Sequence, residues 1–100
     1  MAMETTTDID EQALVLRGQA KGFGKIAEAL GLERANDANE AFNRALRRHS
    51  PEERVTIRAE ENGRLDRLAR AVTADGSRTK EEVDKRMRAI DRLRSRLMTD

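Results

Sequence analysis

The only proline in the chain stands at position 51, inside Ser50-Pro51-Glu52-Glu53. Proline lacks the backbone donor and crowds the preceding turn, so within a helix it fits only at the very start. Here a serine precedes it as a cap, and a glutamate three residues after the cap can return the bond. A helix therefore begins at Pro51, and whatever precedes it must end. Val55, Ala59, Leu65, Leu68, Ala69 and Val72 continue at helical spacing to about Ala74, where Asp75-Gly76 signals a turn. Thr79-Lys80-Glu81-Glu82 repeats the capping pattern and opens a last helix to about Met98, with Val83, Met87, Ile90, Leu93 and Leu97 as its stripe. Gly63 costs about 1 kcal/mol relative to alanine in mid-helix and marks where the first of these two helices would fray or bend.

Upstream of the proline, the pattern predicts three helices. Ala13, Leu14, Val15, Leu16 and Ala20 recur between about Asp8 and Lys21, with Asp8 or Asp10 as cap and Gly22 as the left-handed residue past the end. A short helix follows from about Gly24 to Leu30, ended by Gly31, with Ile26, Ala27 and Leu30 inward. The third spans about Ala35 to Arg48, its apolar residues being Ala38, Ala41, Phe42, Ala45 and Leu46. The expected fold is all-α, an N-terminal three-helix unit followed by an antiparallel two-helix hairpin. Residues 1–8 read as a flexible acidic N-terminus, 9–49 as the functional unit, and 50–100 as a hairpin for packing and oligomerisation.

Charge sharpens this division. The total is only +1, yet residues 1–16 carry −4, 17–50 carry +3, 51–76 carry −1 and 77–100 carry +3. The chain has no cysteine, which excludes thiol chemistry and disulfides, and its single histidine, His49, does not make a zinc site. His49 reads as a helix C-terminal residue facing the dipole. Ser50, Ser77 and Ser95 show no pattern pairing them with that histidine, and the acid pairs Glu52-Glu53, Glu60-Glu61 and Glu81-Glu82 are explained by capping and solvation. The expectation is a non-enzyme without cofactor or metal. No apolar run suggests a leader or a membrane span, so a cytoplasmic protein is expected.

The run Lys21-Gly22-Phe23-Gly24-Lys25-Ile26 poses the functional choice. A phosphate-binding loop would need a strand before it and a hydroxyl residue after the lysine, to hold magnesium. Here Ile26 follows the lysine, and the preceding segment is helical. The dinucleotide fingerprint fails as well, for want of a third glycine. A helix-turn-helix fits better, because that motif needs a small residue where its helices cross, a glycine at the bend and apolar anchors on both sides. Ala27, Gly31, Ile26, Leu30, Leu32, Phe42 and Leu46 supply these, with the turn about one residue longer than in the tightest form.

Gly22, Ile26-Ala27, Leu30-Gly31-Leu32, Arg44-Ala45-Leu46-Arg47-Arg48 and Arg64-Leu65-Asp66-Arg67-Leu68 together resemble small bacterial and phage helix-turn-helix DNA-binding proteins, among them the modules of phage small terminases. The likeness covers about Leu14 to Val72 and implies double-stranded DNA as partner, in transcription regulation or in DNA packaging.

At 100° per residue, the face of the Ala35–Arg48 helix opposite its apolar side carries Asn36, Glu40, Asn43 and Arg47, with Arg44 alongside. Asparagine suits adenine, arginine suits guanine and glutamate accepts from cytosine, so these five are the expected base readers in the major groove. Lys21, Lys25, Arg34 and Arg48 lie at helix ends, where such proteins touch phosphates. A hairpin packed only on itself leaves apolar surface wet. Val72, Val83, Met87, Ile90 and Leu97 are therefore the expected homodimer contact, which would set two reading helices about 34 Å apart. The competing expectation is a protein-interaction adaptor, whose charged hairpin binds a protein partner without DNA.

Overall fold

The computed structural model describes residues 6–99. The five described helices are α1 (Thr6–Gly18), α2 (Phe23–Leu30), α3 (Ala35–Arg48), α4 (Pro51–Ala74) and α5 (Lys80–Leu97), with no strand among the described residues. The chain divides at Ser50/Pro51 into two compact units, α1–α3 and α4–α5. Of the expected N-terminal tail, residues 1–5 lie outside the described residues, while Thr6 to Asp8 belong to α1 instead of a flexible segment.

In the first unit α3 packs against both α1 and α2. Its core is built on alanine: Ala13, Ala27, Ala38, Ala41 and Ala45 are buried and let the helix backbones approach closely, around Ile26, Phe42 and Leu46. Phe23 meets Phe42 edge to face at 5.8 Å, and the Arg17 guanidinium lies 4.0 Å from the Phe23 ring centroid. Arg17 also donates to the Lys21 carbonyl at 3.0 Å, so one buried side chain both stacks on the aromatic pair and satisfies the chain leaving α1.

The C-termini of α1 and α2 close by the same device. The Lys21 N–H reaches the Leu16 carbonyl and the Ala20 N–H reaches that of Arg17; Leu32 and Gly31 do the same to Ala27 and Glu28. This paired bonding requires a left-handed residue just past the helix. Gly31 fills that position after α2, at φ +70°, as expected. After α1 it is Ala20, at φ +66°, and not Gly22, which is extended and begins α2. The geometry of the turn fixes the position, and the glycine stands two residues too late to occupy it. A methyl group in the left-handed region is strained, so Ala20→Gly is expected to stabilise the unit by about 0.5–1 kcal/mol. Gly31→Ala should cost at least as much, and thermal unfolding of the two variants should move in opposite directions.

The second unit is an antiparallel pair. Arg58 of α4 donates to the Leu97 carbonyl at 2.9 Å and so caps the far end of α5, while Arg94 of α5 donates to Asn62 at 3.0 Å and pairs with Asp66. Thr79 caps α5 by accepting from the Glu82 N–H. In the turn, Asp75 accepts from both the N–H and the hydroxyl of Ser77, bonds that hold its carboxyl below the usual carboxylate range, with Arg78 alongside. Gly63 neither ends nor interrupts α4, which runs unbroken from Pro51 to Ala74.

The inward stripe of α4 differs from the expected one. Leu65 and Val72 are buried as foreseen, but so is Glu61, held by Arg64 at 3.2 Å, whereas Val55 and Leu68 are 68% and 46% exposed. The two helices meet along the line Arg58, Asn62, Leu65 and Val72, and apolar spacing alone placed that line too wide. The expected oligomer contact is corrected by the same finding. Val72, Ile90 and Leu97 are already buried within the chain, and Val83 and Met87 are half-buried.

Candidate nucleic-acid interface

Helix α3 begins without a side-chain cap from Arg34; instead the Asp37 carboxylate accepts the Arg34 N–H at 3.1 Å and pairs with its guanidinium at 3.3 Å. Four residues, 31–34, separate it from α2. Three of the five expected base readers share one line. Asn36, Glu40 and Arg47 fall within roughly 40° of arc at 100° per residue. Glu40 and Arg47 are exposed and Asn36 partly so, and Asn36 donates to Glu40 at 3.1 Å.

Asn43 is not on this surface. It is 3% exposed, and its amide donates to the Asn39 carbonyl at 3.0 Å, with the Asn39 side-chain oxygen at 3.3 Å. Its own Oδ1 is buried without a hydrogen-bond partner. The buried face of α3 extends past Phe42 and Leu46 to take in Asn39 and Asn43, and a helical wheel centred on the apolar residues alone misses this.

Arg44 is present at the edge but engaged. Its Nε and Nη2 donate to the two oxygens of Asp10 of α1, each at 3.0 Å, and Arg48 Nη1 lies 2.9 Å from the same carboxylate. Asp10 is fully buried, while Arg44 and Arg48 remain 39% and 40% exposed. The hydrogen bond to Asp10 holds the Arg44 guanidinium above its ordinary value, against the opposing effect of burial. This clasp ties α1 to α3, and the sequence held a signal for it: two arginines four residues apart on one helix edge. Asp10 thus lies inside α1 as the partner of two arginines and does not cap the helix. His49, at the α3 terminus, pairs with Glu11 at 3.2 Å, so it too faces α1.

Among the expected phosphate contacts, Lys21, Lys25 and Arg34 are exposed. Lys25 pairs with Glu28 at 3.4 Å, with both side chains largely in water, an arrangement worth little in stability. An open cleft of about 530 Å³ includes Lys25 in its lining, with Gly22, Gly24, Ala27, Glu28, Leu32, Glu33 and Ala35. Arg48 differs from the other three because of its bond to Asp10. Among the described residues no group of three or more His, Asp or Glu side chains could hold a metal ion, and no helix is long and apolar enough to cross a membrane. Comparison with protein-family models, curated proteins and solved structures gives no match.

Proposed function

We propose that this protein binds double-stranded DNA as a helix-turn-helix module, setting α3 in the major groove, in transcription regulation or in recognition of DNA for packaging. The observation that carries the reading is the Asn36–Glu40–Arg47 line on the outer edge of α3, behind a short α2 with exposed Lys25 in its first turn and exposed Lys21 just before it. An amide, a carboxylate and a guanidinium on one ridge are groups that distinguish base edges, and the flanking bases suit phosphates. Relative to the expectation from sequence, the reading head is narrower. Arg44 and Arg48 contribute positive potential at its margin while they hold Asp10, and Asn43 contributes packing.

Arg47→Ala is expected to cost about 1–3 kcal/mol on a selected duplex and to relax preference at one base position. Lys25→Gln should weaken all duplexes alike. Binding measured on the selected site and on single-base variants of it separates the two effects. Equal affinity of Arg47→Ala and the parent chain for every duplex would remove the reading head.

A second reading, a protein-interaction adaptor, draws on Val55 and Leu68, which lie exposed on α4, and on an apolar groove of about 150 Å³ lined by Leu68, Val72, Arg86, Ala89, Ile90 and Leu93. With Val72, Ile90 and Leu97 largely internal, homodimerisation would use exposed Leu68 and the rim of this groove, and a solution mass measurement reads it directly. Absence of duplex binding at low salt, with a protein partner captured through the hairpin, would select the adaptor.

A further inference from the structure

Helix α5 changes character along its length. From Lys85 to Leu97 it carries six bases and one acid, for a net charge of +5, in a chain whose total is +1. Arg94 is used internally, on Asn62 and Asp66. Lys85, Arg88, Arg92 and Arg96 fall on one outer line, opposite buried Ile90 and Leu97, and all four are exposed. At 1.5 Å per residue this line is about 17 Å long. Glu81, one turn earlier, is the only acid on it.

A face that serves only to keep a helix in water usually mixes both signs, as α4 does with Glu60, Asp66, Arg67 and Arg70. Within the α5 line the neighbours are like charges, Lys85–Arg88 at three residues' spacing and Arg88–Arg92 and Arg92–Arg96 at four, with Asp84 and Asp91 flanking Arg88 on one side. Each such pair destabilises an isolated helix by about 0.2–0.5 kcal/mol. Among the described residues, no hydrogen bond or ion pair engages Lys85, Arg88 or Arg92. Beside them lies a cleft of about 450 Å³ lined by Glu82, Lys85, Arg86, Ala89 and Arg92, three cations and one acid around an alanine.

We propose that the outer face of α5, Lys85, Arg88 and Arg92 with Arg96 in line, is a second DNA-contacting surface that binds the phosphate backbone of a duplex independently of sequence. Successive arginines rise about 6 Å apart along the helix, so the stripe follows a row of phosphates as a line of charge and not as a set of base contacts. The proposal extends the DNA-binding reading to a surface that reading does not need, and either can fail without the other.

The test is the salt dependence of duplex binding by the full chain. Lys85→Gln/Arg88→Gln/Arg92→Gln alters only exposed side chains, and helicity by circular dichroism confirms that the fold is kept. The slope of log K against log salt should become shallower by about 0.9 for each phosphate that the variant no longer neutralises, on every duplex sequence. A charge-preserving Lys85→Arg/Arg88→Lys/Arg92→Lys chain should keep the parent slope. An unchanged slope and affinity in the glutamine variant would overturn the proposal, as would a parent chain that binds no duplex at low salt. If Arg47→Ala proves silent while the glutamine variant flattens the slope, the stripe stands and the reading head falls; the reverse pattern retains the reading head and removes the stripe.

Discussion

Phe42→Ala is expected to destabilise the first unit by about 3–5 kcal/mol, the range for truncating a buried aromatic side chain. At roughly 0.05–0.15 kcal/mol per residue, a unit of some fifty residues has only about 2.5–7.5 kcal/mol in total. Phe42 is 2% exposed, and its ring meets Phe23, over which Arg17 lies. Removing it takes away the edge-to-face partner and leaves a void where α2 crosses α3. The alanines around it cannot fill that space, since each already sets a close backbone approach. Chemical denaturation followed by far-ultraviolet circular dichroism should show the destabilisation, and amide exchange should assign it to α2 and α3. Phe42→Leu, which keeps most of the volume, should cost markedly less. A Phe42→Ala chain as stable as the parent would mean that this ring does not hold the two helices together.

The second large effect concerns the Asp10 clasp. Arg44→Met/Arg48→Met leaves a fully buried carboxylate with no cation, a change expected to cost about 3–5 kcal/mol for a buried pair and toward the lower end here, because both guanidinium groups are about two-fifths exposed. Asp10→Leu alone should cost less, since the two arginines can turn to water. The triple variant, Asp10→Leu/Arg44→Met/Arg48→Met, should recover most of the stability, because an apolar set of similar volume often replaces a buried ion cluster without net cost. Thermal unfolding of the three chains tests the order. Equal stability of the double variant and the parent would show that the carboxylate reaches water.

Much of this architecture was legible from residues alone. Pro51 after Ser50, and Asp75-Gly76 before Thr79, bounded α4 and α5 closely, because a missing N–H and a turn dipeptide act locally. The spacing of Ala38, Ala41, Phe42, Ala45 and Leu46 gave the bounds of α3 for a similar reason. What escaped were facts set by neighbours. Asn43 is polar by type yet buried, because the packed face of α3 is wider than its apolar residues. Asp10 read as one of two candidate helix caps, because its arginine partners lie more than thirty positions away. Ala20 took the left-handed position that Gly22 seemed made for, since hydrogen-bond geometry chose the residue. Leu68 looked internal by its spacing, whereas the real seam of the hairpin passes through Asn62, Asp66 and Arg94.

The proposed site was therefore only partly legible. Periodicity found Asn36, Glu40 and Arg47 as outward residues but included Asn43, and it set Arg44 and Arg48 on one helix edge without naming the carboxylate they share. The cationic line of α5 was visible only as block charge until the buried side of that helix was fixed by Ile90 and Leu97.

Methylation interference at guanine N7, on a duplex selected from a randomised pool by the full chain, tests the major-groove reading most directly. Interference at a guanine on the major-groove side, present with the parent chain and absent with Arg47→Ala, is the expected result. Binding that is indifferent to N7 methylation at every guanine, or a pool that yields no preferred sequence, would contradict it.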